Sequence, residues 1–501
     1  MIKKVLIANR GEIAVRIIRA CKESGIRTVA IFSDADVTSL HVRMAEEAYH
    51  VGPAPSAESY LYIGRIIDVA KKSGTDAIHP GYGFLAENPV FAKEVKAAGV
   101  IFIGPEADTI ELLGDKMAAR KRMIDAGVPV VPGSETKVDD IESASRFAGE
   151  IGYPVLIKAA AGGGGKGMRI VRKSEEMTAA LRMAQNEARS AFGDERIYIE
   201  KYLERPRHIE IQIMADTHGN VVHLGERECS IQRRHQKVIE ETPSPVVDDE
   251  LRQRMGETAV RAAKASNYVN AGTVEFLLDQ QKNFYFLEVN TRLQVEHPVT
   301  ELVTGIDLAK EQIRVANGEK LSFTQESIRW NGAALECRIY AEDPDSEFMP
   351  SIGKITEYRE PSGPGVRVDS GLDHFGQVSI YYDPLISKLC TWGNDRDEAI
   401  SRMRRALAEY RIQGVKTVIP FHLLVMNHEK FIAGDLSTHF IGEELAQMQE
   451  QNPMAEDTMK KIAIFCAMVE QQHQNQVQNI HSDRNDKVKS AWKMKGRQRI
   501  A

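Results

Sequence analysis

Two segments of alternating character, Thr273-Val-Glu-Phe-Leu-Leu-Asp279 and Phe286-Leu-Glu-Val-Asn-Thr-Arg-Leu-Gln-Val-Glu-His-Pro298, flank the short polar turn Gln280-Gln-Lys-Asn283. Side chains on an extended strand alternate between its faces. Glu288, Asn290, Arg292, Gln294 and Glu296 are therefore predicted to share one face, with Val289, Leu293 and Val295 on the other. A hairpin symmetric about the turn pairs Gln280 with Asn283 and, by the same count, Glu275 with Glu288. Facing positions carry Cβ atoms roughly 4.5 to 5.5 Å apart, and like charges so placed repel unless a cation sits between them. Asn290 adds a neutral oxygen to Glu275 and Glu288, and an all-oxygen set with few protein ligands suits Mg²⁺ (or Mn²⁺) shared with substrate phosphates better than zinc. The competing reading is a solvated polar sheet face on which Arg292 neutralises the acids.

A glycine run, Ala161-Gly-Gly-Gly-Gly-Lys-Gly167, is the second signal. Consecutive glycines let backbone N–H groups approach phosphate oxygens, and Lys158 and Lys166 flank them with positive charge. The run lacks the Ser or Thr that follows the lysine of a Walker A loop and joins strand to strand, so on its own it is equally a flexible turn. The apolar strand ending in Glu200-Lys201-Tyr202-Leu203 supplies an edge that could offer backbone groups and an apolar surface to an adenine. The third cluster lies between Gly225 and Glu241 and includes Gln232, Arg233, Arg234, His235 and Lys237. Cations this dense beside an acidic phosphate site can hold a small anion and offset developing negative charge; otherwise they make a solvated charged turn. His208 reads either as a nucleotide contact or as a strand-edge histidine.

The N-terminal segment reads as strand, helix, strand over residues 3–33, a βαβ unit. Its first turn, Asn9-Arg10-Gly11-Glu12, holds one glycine rather than the three of a dinucleotide-binding loop. Alternation continues through Ala77-Ile-His79 and Val100-Ile-Phe-Ile103, so residues 1–115 are predicted as an α/β domain with a parallel sheet. Residues 116–134, a helix with Lys116 and Arg120 running into Val128-Pro-Val-Val-Pro132, suit a stiff linker. Residues 135–203 form a smaller unit, 204–447 a mixed one, and 448–501 a partly helical tail. In that tail Met459, Ile462, Ala463, Cys466 and Val469 fit one helical face, before amide-rich and basic stretches. A net charge of −6 on 501 residues gives no bias toward nucleic acid. The five cysteines show no C-x-x-C spacing, which fits a reducing compartment, and no run is apolar for long enough to cross a bilayer. A cytoplasmic protein with neither nucleic-acid nor membrane partner is expected.

The runs Ile7-Ala-Asn-Arg-Gly-Glu-Ile-Ala14 and His79-Pro-Gly-Tyr-Gly-Phe-Leu-Ala-Glu-Asn-Pro89, the glycine loop, residues 232–237 and residues 288–298 together resemble biotin carboxylase, an ATP-grasp enzyme. The resemblance runs from residue 1 to about 447. It implies an α/β and α+β protein with an ATP-grasp fold: a Rossmann-like N-terminal domain, a mobile lid over 135–203, and a C-terminal mixed domain that carries the chemistry. By motif position it implies nucleotide contacts at Lys116, Lys158, Glu200, Lys201, Leu203 and His208, with Gly164 and Gly165 on the phosphates. Gln232 belongs to the same ligand-binding group. Glu275, Glu288 and Asn290 correspond to the metal set, and His235, Lys237, Arg292, Gln294 and Val295 to residues that hold bicarbonate or phosphate. Glu296 corresponds to the general base, and Arg338 to the group facing biotin.

The implied reaction uses ATP and bicarbonate to form carboxyphosphate, then carboxylates biotin carried on another protein. No Ala-Met-Lys-Met turn is present, and Trp492-Lys-Met-Lys495 lacks its leading residues. The expected partners, on separate chains, are therefore a biotin carrier and a carboxyltransferase subunit; the resemblance also implies a homodimer. The tail resembles extensions on separate A subunits of pyruvate carboxylase; the carboxyl acceptor, whether pyruvate, acetyl-CoA or propionyl-CoA, lies beyond this step. The rival readings are another ATP-grasp ligase joining a carboxylate to an amine, and a nucleotide-binding regulator without turnover. The second is opposed by the presence of Glu275, Glu288, Asn290 and Glu296 together.

Overall fold

The four apolar runs read from the first hundred residues lie in one parallel sheet. In the computed structural model, which describes residues 1–134, 140–159, 168–192, 196–373, 376–450, 461 and 463–471, these strands are β1 (Lys4–Ile7), β2 (Arg27–Ser33), β3 (Glu47–Gly52), β4 (Ala77–His79) and β5 (Ile101–Phe102), ordered β3-β2-β1-β4-β5. The half-polar sequence of β3 explains why it does not stand out among them. Helix α1 (Gly11–Glu23) leaves β1 through Gly11, whose φ of 65° is the left-handed conformation that a glycine adopts without strain. Strand order reverses between β1 and β4, which opens a crevice at their carboxyl ends.

Helix α2 (Lys116–Asp125) leads to the expected linker, and the linker is paired rather than free. Phe286 N–H donates to Pro129 O at 2.7 Å, Lys201 N–H to Pro132 O at 2.7 Å, and Ser134 N–H to Ile199 O at 2.8 Å. Gly133 allows this approach, since a Cβ there would lie 2.8 Å from the Ile199 carbonyl oxygen. Beyond it stands a three-stranded antiparallel sheet, β7-β6-β8, made of β6 (Val155–Ala159), β7 (Arg169–Val171) and β8 (Ile197–Lys201). Helix α3 (Met177–Phe192) covers it, burying Leu181 and Ala184 against Val155, Ile157, Val171 and Ile199. Gly164, Gly165 and Lys166 lie outside the described residues.

An eight-stranded antiparallel sheet carries most of the remaining chain. Its strands are β9 (Arg207–Ala215), β10 (Val221–Arg233), β11 (Gln236–Thr242), β12 (Asn270–Leu278), β13 (Phe284–Asn290), β14 (Ala333–Tyr340), β15 (Val366–Ser370) and β16 (Leu385–Gly393). They are ordered β13-β12-β9-β10-β11-β14-β16-β15. Helix α4 (Asp249–Ala265) packs Met255, Ala259 and Ala262 on an apolar face formed by Ile209, Ile211, Ile213, Val274 and Phe276. On the opposite face lies α5 (His297–Thr304), with Val299 and Val303 against Ala334.

The hairpin pairs Glu275 with Glu288 as expected, but by a different route. The turn closes on Asp279 and Asn283, so pairs near it are one residue out of the assumed count, Phe276 facing Phe286; an irregularity between that pair and the Glu275 pair restores the register. The extended strand does not run to Glu296. It ends at Asn290, Arg292 and Gln294 lie in an irregular segment, and Glu296 occupies the N-cap of α5. The alternation from 288 to 296 is thus partly that of a strand and partly that of a loop anchored by its side chains.

Residues 446–501 form a second unit. Within it, 463–471 are helical and exposed on every side: Ala463, Cys466 and Val469 show no more burial than Ile464, Phe465 and Met468. Met459, Ile462 and residues 472–501 lie outside the described residues. The other four cysteines are buried and all five are free. No helix among the described residues is long and apolar enough to cross a membrane.

Candidate active site

Strict alternation along β9 sends Ile209, Ile211 and Ile213 toward α4 and leaves His208, Glu210 and Gln212 on the face covered by α5. Ladder partners repeat the choice on each neighbour: Glu210 faces Glu275 and Arg227, Glu275 faces Glu288, Glu240 faces Glu336, and Arg338 faces Lys388. The result is a band of buried charge across the sheet. Arg227, fully buried, secures α5 to it, donating to Gln212 Oε1 at 2.7 Å and Thr300 Oγ1 at 2.9 Å and pairing with Glu210.

At the centre, the Lys237 ammonium uses its three donors on three carboxylates, Glu210 at 2.5 Å, Glu275 at 2.7 Å and Glu296 at 2.7 Å. Glu296 also accepts from Arg338 at 3.0 Å, and Arg338 donates to Glu240 at 2.6 Å. Burial by itself would lift the Glu296 carboxyl; Lys237, Arg338 and Arg227 instead hold it well below the usual carboxylate range. Burial does win at Glu240, pushed up to about 7 against the pull of Arg338. Glu296 lies beneath the open surface, with 0% exposure.

Beside this cluster, Arg292 donates to Glu87 Oε2 at 2.8 Å, Gln294 Oε1 at 2.9 Å and Asn290 Oδ1 at 3.2 Å. Gln294 is buried, yet its Nε2 has no partner, an orphaned donor in a cationic setting. His208 Nε2 lies 2.9 Å from Glu275 Oε2, while its Nδ1 lies 2.7 Å from Gln232 Nε2. Glu275 is charge-paired, whereas Glu288 has no ion pair among the described residues; burial and then Glu275 raise its pKa. A half-buried acid that faces another acid across the ladder suits a divalent cation, and Asn290, with Nδ2 2.8 Å from Glu275 Oε1, stands within reach of the same pair.

A cavity of about 690 Å³ gathers the proposed ligand contacts. Its wall includes Lys158, Glu200, Lys201 and Leu203 from the small sheet, His208, Gln232, His235 and Lys237, and Glu275, Glu288, Asn290, Arg292, Gln294, Val295 and Arg338. Lys158 pairs with Glu200 at 2.6 Å, and Lys201 Nζ donates to Gly152 O at 2.9 Å and Tyr153 O at 3.0 Å. The Lys201 amide is occupied by Pro132, so the expected free edge at 200–203 is already used at that position. Lys116 stands apart from this wall, in an adjoining cleft of about 210 Å³ that also contains Glu288 and Asn290. A second cavity, about 630 Å³, opens at the β1–β4 crevice between Arg10, Tyr82, Phe84 and Tyr382 and shares Arg292, Val295 and Arg338 with the first.

Sequence reasoning passed over Glu210, Arg227 and Glu240, which complete the charge cluster, and Glu87, which holds Arg292. The signal for Glu210 was present in the alternation of residues 208–213; Glu240 and Arg227 sit in segments whose two faces are both polar or both buried.

Comparison with known proteins gives the family. Residues 1–110 match the family described as Biotin carboxylase, N-terminal domain, residues 115–324 Carbamoyl-phosphate synthase L chain, ATP binding domain, and residues 336–443 Biotin carboxylase C-terminal domain. The chain is 59% identical over 444 residues to the A subunit of pyruvate carboxylase from Methanothermobacter thermautotrophicus, covering 88% of this chain and 90% of that one. It is 57% identical over 442 residues to biotin carboxylase 1 of Bacillus subtilis, covering 88% and 98%. Among solved structures it resembles, with a TM-score of 0.85 and 51% identity over 89% of this chain and 99% of that one, the biotin carboxylase domain dimer of Hydrogenobacter thermophilus 2-oxoglutarate carboxylase in complex with MgADP, ADP and bicarbonate.

Proposed function

The chain belongs to the biotin carboxylase family, and from that premise we propose that it uses ATP and bicarbonate to carboxylate biotin carried on a separate protein. One observation carries the assignment of the site: the ammonium of Lys237, shared by three buried carboxylates, lines the same cavity as the orphaned Gln294 amide, Arg292 and Arg338. Such a cluster can release cations to an incoming anion and keep a carboxylate ready as base.

In this reading ATP lies in the 690 Å³ cavity, between the small sheet carrying Lys158 and Glu200 and the large sheet carrying His208. The lid over 135–203 would include the Gly164 and Gly165 loop, and closing it would keep water from the intermediate. A divalent cation held by Glu275, Glu288 and Asn290 would offset charge on the phosphates. Arg292, Gln294, the backbone at Val295, His235 and Lys237 hold bicarbonate. Glu296 takes its proton; a bicarbonate oxygen bonds to the γ-phosphorus as the bond to the β–γ bridging oxygen breaks, giving carboxyphosphate and ADP. Carboxyphosphate then breaks its C–O bond to give CO₂ and phosphate. That phosphate accepts the proton of the biotin ureido nitrogen, Arg338 stabilises the charge on the ureido oxygen, and the nitrogen bonds to CO₂.

The partners follow from the chemistry: a biotin carrier that reaches Arg338 and a carboxyltransferase that unloads it, with the chain acting as a homodimer. The acceptors in the names of similar proteins differ, pyruvate, propionyl-CoA and 2-oxoglutarate among them, which fits a step upstream of that choice. The test is ATP hydrolysis with free biotin, with and without bicarbonate. Dependence on both supports this reading, whereas turnover on an amine and a carboxylate without bicarbonate would assign the other ATP-grasp chemistry.

A further inference from the structure

Lys388 sits on β16 with no solvent exposure. An ammonium in such a place is strongly unfavourable unless it is paired and hydrogen-bonded, and a methionine would fill a similar volume without that penalty. Its surroundings are specific. The Nζ donates to the carbonyl of Val295 at 2.8 Å, lies 3.3 Å from Glu12 Oε1 at the start of α1, and lies 3.8 Å from Asp369 Oδ2 on β15. Asp369 is already held by Arg367 at 3.0 and 2.8 Å. Neither Glu12 oxygen has a hydrogen-bond partner, so Lys388 is its nearest cation. The close approach of β15 to α1 keeps Glu12 there: a Cβ on Gly371 would stand 2.5 Å from the Glu12 backbone nitrogen.

Residues 291–296 link the end of β13 to α5 without regular structure and carry Arg292, Gln294 and Glu296. Side chains of Glu87, His297 and Lys388 hold their backbone, while Lys237 and Arg338 hold the Glu296 carboxylate. Glu87 accepts from Thr291 N–H at 3.0 Å and from Arg292, His297 Nδ1 lies 2.8 Å from Gln294 O, and Lys388 reaches Val295 O from the sheet floor. The first holds the start of the loop and the second the carbonyl of the buried Gln294. Among the described residues, the third grips the backbone of the residue between the orphaned Gln294 amide and the Glu296 carboxylate.

We infer that Lys388 is a positioning residue for the bicarbonate loop: by gripping the Val295 carbonyl it sets where the Gln294 amide, the residue-295 backbone and the Glu296 carboxylate stand relative to the anion. This rests on the reading of that loop as the bicarbonate site. Lys388 is not among the residues lining either cavity and touches no substrate. Its loss should therefore weaken anion binding while leaving nucleotide binding, which depends on the other end of the cavity, in place.

The test measures KM for bicarbonate and for ATP from ATP hydrolysis by the full chain with free biotin, for the parent, Lys388→Met, and Lys388→Met combined with Glu12→Gln. The double variant removes the acid that the single one leaves alone, so it keeps the question open to measurement if the single variant is unstable. The expected result is a rise of about tenfold or more in the bicarbonate KM, the loss of one charge-assisted hydrogen bond, with the ATP KM within about twofold of the parent. An unchanged bicarbonate KM, both KM values rising together, or failure of both variants to fold would overturn the assignment. A parent enzyme whose hydrolysis ignores bicarbonate would instead overturn the function on which it rests.

Discussion

Removing the base and removing the cation beside it should have opposite consequences for stability, and the charge count of the cluster says why. Glu210, Glu240, Glu275 and Glu296 are each at least 96% buried, against the cations Lys237, Arg227 and Arg338. Glu296→Gln keeps the shape, leaves Lys237 on Glu210 and Glu275 and Arg338 on Glu240, and removes one charge from the side in excess. The change in unfolding free energy is expected within about 1 kcal/mol of zero, or in the stabilising direction. Lys237→Met removes the cation that three buried carboxylates share, leaving Glu210 to Arg227, Glu296 to Arg338 and Glu275 to His208, at a cost of about 3–5 kcal/mol. In turnover the variants converge: loss of a general base removes about 10²–10⁴ in rate, which is roughly 3–5 kcal/mol of barrier. Urea unfolding read beside biotin-dependent ATP hydrolysis separates the two quantities. The reasoning is refuted if Glu296→Gln is as destabilising as Lys237→Met, or if it retains more than about a tenth of the parent rate.

Three further outcomes are expected. Arg338→Ala should keep bicarbonate-dependent ATP hydrolysis while biotin carboxylation, followed by fixed ¹⁴C, falls roughly 100-fold or more; Glu240, already at about 7, can take up a proton when its partner leaves. Glu288→Gln should raise the Mg²⁺ concentration for half-maximal turnover by roughly tenfold or more without lowering the melting temperature, because it also relieves the repulsion from Glu275. Asp36 is buried, receives Arg10 at 2.7 and 2.8 Å and Tyr60 at 2.6 Å, and its carboxyl is drawn from 3.8 to about 2: burial would raise it, and Arg10 overrides. A depressed acid stabilises above its unfolded pKa and loses that contribution as pH falls, so Asp36→Asn should cost about 2 kcal/mol at pH 7 by urea unfolding, with the gap closing between about pH 4 and 2; a gap that stays constant over that range would contradict the assignment.

The sequence carried the site further than the path to it. Glu275 was paired correctly with Glu288, yet the assumed turn was one residue out and the irregularity between Phe276 and Glu275 compensated for it; such irregularities depend on neighbouring strands and leave no local pattern. The face of β9 was legible from its alternation, because Ile209, Ile211 and Ile213 leave no other choice for Glu210. Glu240 was not, since β11 is buried on both faces and a local pattern cannot say which acid meets Arg338. Arg292, Gln294 and Glu296 were placed together for a reason that holds only as far as Asn290: beyond it, their convergence comes from Glu87 and Lys388, residues 204 positions before Thr291 and 93 after Val295. Contacts of that span cannot be read from spacing.

The arrangement also explains how an acid so firmly held can act as a base. A carboxylate kept well below its usual range by two contacting cations is a weak proton acceptor, and Glu296 is so held while Lys237 and Arg338 point at it. In the proposed mechanism these cations would serve as its counter-ions only until other anions arrive. Bicarbonate and the transferring phosphoryl group would compete for Lys237, and the ureido oxygen of biotin for Arg338; each contact made with substrate would be one withdrawn from Glu296, with Glu240 keeping Arg338 anchored during the exchange. Burial, which raises a carboxyl, then acts with less opposition, so basicity rises as the substrate to be deprotonated binds. Lys388 cannot take part in such an exchange, because it is enclosed on every side and grips a backbone carbonyl. On this proposal the two lysines would divide the work, Lys237 changing partners during turnover while Lys388 keeps the loop in place.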